Sequence, residues 1–238
     1  MAGIRAITRR ILRSVRGDRR TSALVVLVPA FLIYLVSEAF AHPDEVAPPL
    51  LAVLVFTLTY LLTAIGFLRE RQAGTLERVL VAPVSRTGVV VGYVLGYGVL
   101  ATVQVLVLLV ATIVFLDVNF AHGVGSFFLL ELLGALTAVG VGILLSLFAR
   151  TEFQAIQFIP LVITPQVLLS GAFLPVKDLP VYLRLPAHAM PMKYLLDGMN
   201  YVVLGVGHRQ DFWIAAAILL EFAVLAVGVS RLAVDRAL

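Results

Sequence analysis

The chain has 238 residues, 61% hydrophobic and 13% charged, with a mean hydropathy of +1.04 and a net charge of +4. A soluble domain carries roughly 25% charged residues, so this composition excludes an ordinary soluble enzyme and specifies an integral membrane protein. Cysteine is absent, which removes disulfides, thiolate metal sites and cysteine nucleophiles.

Residues 1–20 hold seven arginines, Arg5, Arg9, Arg10, Arg13, Arg16, Arg19 and Arg20, with Ile4, Ile7, Ile11, Leu12 and Val15 recurring near helical spacing on the other side. The pattern predicts an amphipathic interface helix lying on anionic lipid, retained rather than cleaved as a signal peptide. Nucleic-acid binding is excluded as a reading, because the basic run abuts an apolar span and has no interleaved aromatics.

A spanning helix needs roughly 20 mainly apolar residues. Six stretches approach that length, at about 22–41, 50–68, 87–116, 124–149, 153–173 and 212–232. With apolar material from end to end, residues 1–238 read as a single transmembrane domain of an all-α fold. The third stretch is longer than a bilayer needs, which implies tilt or an interfacial first turn. Pro160 and Pro165 predict a kink in the fifth. With the N-terminus in the cytoplasm, fourteen of the eighteen basic residues fall inside, and the other four, Lys177, Arg184, Lys193 and Arg209, fall in the last outer loop. This obeys the positive-inside rule and places both termini in the cytoplasm.

Between the second and third spans, residues 69–86 form a densely charged connector. Such a segment must sit at the water interface, where it has room for a short helix of its own. Residues 169–207 break the span pattern differently. Pro175, Pro180, Pro186 and Pro191 forbid one continuous helix, yet the segment stays apolar through Phe173, Leu174, Val181, Leu185, Leu195 and Met199. Short re-entrant helices before the last span, roofing a cavity, satisfy both constraints.

The connector pattern Glu70-Arg71-x-x-Gly74-Thr75-Leu76-Glu77 with Pro83-Val84-Ser85-Arg86, the six spans, the basic interface helix, and Ser170-Gly171-x-x-x-Pro175 followed by Leu179-Pro180 and Pro191-x-x-Tyr194 together resemble the type-2 ABC transporter permease family. The resemblance covers nearly the whole chain. It implies a plasma-membrane subunit of an exporter for drugs, lipids or polysaccharides, working as two permeases with two separate ABC ATPase subunits. The second permease is then another copy of this chain or a related one. One departure is Tyr93 after Gly92, where such permeases often carry a lysine.

Within that resemblance the connector is a coupling helix. Gly74 lets the chain turn, Thr75 suits the N-cap of a turn over 76–81, Glu77 lies near the positive end of its dipole, and Pro83 stops it. Arg71, Arg78 and Arg86 are then available to pair with the ATPase. The chain contains no Gly-x-x-x-x-Gly-Lys-Ser/Thr loop and its lysines stand only at 177 and 193, so no cofactor is expected on it. ATP and Mg belong to the partner ATPase.

For the translocation pathway the candidates are Glu131, Glu221, Gln104 and Gln157. A buried charge costs about 2.5–3.5 kcal/mol on insertion scales. Glu131 and Glu221 therefore either line a path or serve as hydrogen-bonded helix packing, with Gln104 and Thr137 as possible partners. Gly92-x-x-x-Gly96 permits a close helix contact. Gly171, Pro175, Pro191 and Tyr194 form the candidate outer gate. His42, His122, His188 and His208 are scattered without metal-ligand spacing, so no metal site is expected. The competing reading is a membrane-embedded lipid-modifying enzyme using His188, Asp178, Asp197, Arg184 and Lys193 of the outer segment. An ion-driven transporter with two matching halves is disfavoured, because residues 69–86 have no counterpart at 150–154.

Overall fold

The computed structural model describes residues 2–40, 43–75, 85–116, 118 and 120–236. Among these the secondary structure is helical throughout. The helices are α1 (Ala2–Gly17), α2 (Arg19–Ala39), α3 (Pro43–Gln72), α4 (Arg86–Ala111), α5 (Val124–Ser146), α6 (Glu152–Phe158), α7 (Thr164–Leu169), α8 (Val181–His188), α9 (Pro191–Met199) and α10 (Arg209–Arg236).

Among the described residues five helical stretches are long and apolar enough to cross a membrane: Val46–Gln72, Thr87–Leu116, Val124–Ser146, Glu152–Leu169 and Arg209–Leu232. The sixth expected span, 22–41, corresponds to α2, whose apolar part is the shorter run Val25–Ala39. The fourth and fifth also end earlier than expected, at Ser146 and Leu169. The expected boundary at residue 69 is corrected more sharply, because α3 continues through Glu70 and Arg71 to Gln72. Charged residues extend a helix beyond the apolar zone wherever neighbours supply partners, and here they do.

α5 is strongly apolar and covered over most of its surface by its neighbours, with Phe127, Leu130, Ala135, Val139 and Ile143 among its buried residues. Small residues let its neighbours approach. A Cβ at Gly134 would stand 2.7 Å from Leu195 of α9, and one at Gly142 would stand 3.1 Å from the Tyr60 carbonyl of α3. A third neighbour, α10, is held by Thr137, whose hydroxyl donates to the Leu219 carbonyl at 3.0 Å.

Two of the five stretches, Thr87–Leu116 and Glu152–Leu169, leave regular α geometry. Beyond α4 the chain makes a π turn over Thr112–Leu116. Between α6 and α7 another occupies Ile159–Ile163, where Pro160 supplies no backbone donor and the α ladder must widen.

The amphipathic pattern of α1 does form a helix, and two residues of its apolar side are covered by protein rather than left for lipid. Ile7 and Ile11, only 5% and 2% exposed, pack onto α4, where a Cβ at Gly92 would stand 3.0 Å from Ile7 and one at Gly96 2.5 Å from Ile11. The Thr8 hydroxyl adds a bond to the Gly92 carbonyl at 3.2 Å. Two residues spaced by four on one helix thus meet two glycines spaced by four on the other.

The segment 169–207 divides into unlike parts. α8 exposes Val181, Tyr182 and Leu185, whereas α9 buries Met192, Leu195, Leu196 and Met199, wedged among α3, α5 and α10.

Candidate functional site

Four consecutive residues at the end of α3 send their side chains to four different neighbours, since each step along a helix turns by about 100°. Arg69 makes a two-pronged contact with Glu152 of α6, Nε to Oε1 at 2.6 Å and Nη2 to Oε2 at 3.0 Å. Glu70 accepts from Arg10 of α1 and from the Tyr93 hydroxyl of α4 at 3.3 Å, while Arg10 also donates to Tyr93 at 2.9 Å. Arg71 turns inward to the end of α5. Its Nη1 donates to the Ser146 and Leu147 carbonyls at 3.0 and 2.7 Å, and its Nη2 to the Ala149 carbonyl. Gln72 donates to the Arg150 carbonyl at 2.9 Å. The guanidinium of Arg71 satisfies orphan carbonyls where a helix ends, and its positive charge suits the negative end of the dipole.

The chain then turns at Gly74, whose φ of 66° lies in the region that favours glycine. Thr75 is the last described residue of this stretch. Leu76, Glu77, Arg78 and Pro83 lie outside the described residues, as does the side chain of Arg86, the first residue of α4. On the far side of the connector Ser85 caps α4, its hydroxyl accepting from the Gly88 amide at 3.1 Å. The connector is therefore anchored firmly at both ends.

The four pathway candidates are not gathered in one place. Glu131 on α5 is 0% exposed, and neither carboxylate oxygen has a hydrogen-bond partner among the described residues. The pairings anticipated for it are not formed. Thr137 donates to the Leu133 and Leu219 carbonyls, and the Nε2 of Gln104 is itself unpartnered among the described residues. Gln104 lines a cavity of about 590 Å³ bounded by α1, α2, α3 and α4. Gln157 is exposed on α6 and lines a different cavity with Arg150 and Gln154. Glu221 is exposed on α10.

Of the outer-gate candidates, Gly171 turns the chain with φ 99°. Pro175 is exposed and its carbonyl accepts from the Asp178 amide at 2.9 Å. Pro191 is buried at the start of α9, a position where its missing N–H costs nothing. The Tyr194 hydroxyl donates to the His188 carbonyl at 2.8 Å and so links α9 to α8. The polar groups invoked for an enzyme in this segment make local contacts. Arg184 donates to the Leu179 carbonyl at 2.9 Å, Lys193 meets Asp197 at 2.6 Å, and His188 meets the Arg184 carbonyl at 2.6 Å. Among the described residues no His, Asp or Glu cluster is placed to hold a metal.

Sequence reasoning missed three contributors. Tyr93 registered only as a departure from a family pattern, yet it joins the Arg10–Glu70 pair. Glu152 gave no signal beyond its position one residue after Thr151, whose hydroxyl accepts from the Gln154 amide at 3.2 Å. Ser85 followed by an apolar helix is a legible cap, although it drew notice only as part of a motif.

A helical bundle with several membrane-length apolar helices and a charged, clamped helix end defines a protein of the membrane-embedded helical class. The family model of the ABC-2 type transporter matches residues 2–204, and the chain belongs to that family. It is 29% identical over 168 residues to the probable multidrug ABC transporter permease YbhR of Escherichia coli, covering 71% of this chain and 46% of YbhR. It is 28% identical over 174 residues to the linearmycin resistance permease protein LnrN of Bacillus subtilis, covering 73% and 45%. With ABC transporter G family member 20 of Dictyostelium discoideum the identity is 27% over 194 residues, covering 81% of this chain and 27% of that protein. The chain thus spans less than half the length of each of these three relatives.

Proposed function

We propose that this chain is the transmembrane subunit of an ATP-driven exporter, crossing the plasma membrane six times with α2 as its first span and both termini in the cytoplasm. Residues 69–86 couple it to a separate ABC ATPase subunit that holds ATP and Mg, and a second permease, identical or related, completes the pathway. The cargo is a hydrophobic drug, lipid or glycolipid, a class in keeping with the multidrug and linearmycin-resistance names of two relatives.

The observation that supports this reading best is the four-way clamp at Arg69, Glu70, Arg71 and Gln72. A push on the connector beginning at Gly74 is delivered at once to α1, α4, α5 and α6, so the helices move together rather than letting the connector flex alone. Rigid-body motion of this kind is how ATPase closure is converted into movement of spans. Glu70 and Arg71 act from the base of the coupling element, together with Gly74, Thr75, Leu76, Glu77, Arg78, Pro83 and Arg86 of the same connector.

The test is ATP-driven efflux of an amphipathic fluorescent dye from vesicles carrying the chain with its ATPase. Replacing Glu77 and Arg78 with alanine should leave insertion intact and abolish dye movement. Fully coupled efflux in that double variant refutes the assignment.

A further inference from the structure

Where α5 ends and α6 begins, beside the clamp, lies an open groove of about 430 Å³ lined by Phe148, Arg150, Gln154, Gln157, Phe158 and Leu161. The last four are spaced by three and four, so one face of a single helical stretch forms the wall. Arg150, Gln154 and Gln157 are all exposed, within reach of an occupant. The Oε1 of Gln154 accepts from the Arg150 amide at 2.7 Å, which engages its oxygen and leaves its NH2 to donate. The Arg150 guanidinium and the Gln157 amide have no partner among the described residues, and a guanidinium can only donate. Among the described residues no acid lines the groove. The nearest in sequence, Glu152, has both oxygens held by Arg69, and the charge of Arg71 close by is engaged with carbonyls alone. The local balance is positive. On the apolar side Phe148 and Leu161 are 66% and 68% exposed, and Glu152–Leu169 is the least covered of the five membrane-length stretches.

We propose that this groove binds a phospholipid whose head carries a net negative charge, with the phosphate against the Arg150 guanidinium and the amides of Gln154 and Gln157, and the acyl chains along Phe148 and Leu161. Unpaired donors at the end of an apolar stretch are what an anionic head requires. A zwitterionic head is a poorer match, because its ammonium meets the charge of Arg150 and finds no free carboxylate. A second copy of this chain is poorer too, since it brings the same donors and a Glu152 already held by Arg69. The site needs a bilayer but neither ATP nor an ATPase, so it stands or falls separately from the transport reading.

Native mass spectrometry of the full chain released from nanodiscs tests it, with phosphatidylglycerol and phosphatidylcholine of the same acyl chains as probes. One phosphatidylglycerol per chain should persist after the phosphatidylcholine is stripped, with a preference of about tenfold or more, the scale of one charged hydrogen bond. Arg150→Ala should erase that preference, and Gln157→Leu should lower phosphatidylglycerol retention at unchanged charge, both without a change in melting temperature. Arg9→Ala, which removes an exposed cation outside the groove, should leave the preference intact. Equal retention of the two lipids by the natural chain overturns the proposal, and so does a preference lost as readily in Arg9→Ala as in Arg150→Ala, which would mean diffuse attraction. Displacement of the lipid by glycerol 3-phosphate would make this a site for a soluble anion, and a dimer that retains no lipid and dissociates in Arg150→Ala would make it an interface between copies; either result overturns the proposal. If Arg150→Ala melts earlier, Gln157→Leu decides, and undiminished retention in that variant refutes the assigned place of binding.

Discussion

Truncating Ile7 and Ile11 together to alanine should release α1 from the bundle. Both side chains are almost wholly buried, and removing a buried isoleucine down to Ala costs about 2–5 kcal/mol, so even the lower bound for two neighbouring sites is about 4 kcal/mol. At about 1.4 kcal/mol per factor of ten, the ratio of docked to undocked α1 falls by about a thousandfold. Alanine is the better helix former, so a loss of protection cannot be charged to helix propensity. A 16-residue helix is also marginal on its own in water. Amide hydrogen exchange over residues 4–15, in nanodiscs, reports the change, with the amides of α5 as the internal reference for global stability. Gly96→Leu attacks the same contact from the other side, because its Cβ would stand 2.5 Å from Ile11, and should give the same signature. Arg9→Ala, at an exposed position, should not. Unchanged protection in both the isoleucine and the glycine variants would mean that lipid, not α4, holds α1, and would refute the packing argument.

Arg71→Ala should destabilise the chain by about 1.5–3 kcal/mol, the scale of a lost charged hydrogen bond, and Arg71→Lys should not restore it, because a single ammonium does not reproduce the fork that reaches Ser146, Leu147 and Ala149; chemical denaturation in detergent measures both. Glu131→Gln should hold or raise the melting temperature, since an unpartnered buried acid at that depth is unfavourable by about 2.5–3.5 kcal/mol on insertion scales; a clear fall would reveal a partner supplied by another chain. For Arg69 and Glu152, whose side chains are 56% and 42% exposed, a double-mutant cycle should give a coupling of about 1 kcal/mol or less that fades in high salt. Ser85→Ala should cost about 0.5–2 kcal/mol by removing the cap on the Gly88 amide, seen as faster exchange in the first turn of α4.

What the sequence made legible is what depends on local chemistry alone. Apolar length located the stretches that became Thr87–Leu116 and Val124–Ser146, because hydrocarbon demands that length whatever the neighbours are. The prolines of the outer segment worked the same way. Pro191 opens α9 and Pro180 precedes α8, positions at which the lost donor is harmless. Pro186, by contrast, sits inside α8, where a break was expected; only Pro180 through Leu185 precede it, so almost no ladder remains for it to disturb. The turn at Gly74 was readable from its type, whereas the continuation of α3 to Gln72 was not, since the partners of Arg69 to Gln72, on α1, α4 and α6 and at the end of α5, lie 23 to 83 positions away in sequence.

The first helix shows where this boundary falls. Isoleucines four apart on one face of a basic helix fit a lipid surface and a protein groove equally well, so the pattern of α1 by itself fixes a shape and leaves its counterpart open. The deciding signal was present elsewhere in the chain. Gly92 and Gly96 are also four apart, and two glycines at that spacing open a groove whose length matches the Ile7–Ile11 pair. Only the matching of two periodicities, 85 residues apart for each pair, selects protein over lipid. Glu131 marks the complementary case. Its burial was readable from its place inside an apolar run, yet whether a partner exists is a property of every helix around α5 at once; among the described residues neither carboxylate oxygen has one, and Thr137 bonds Leu133 and Leu219 instead.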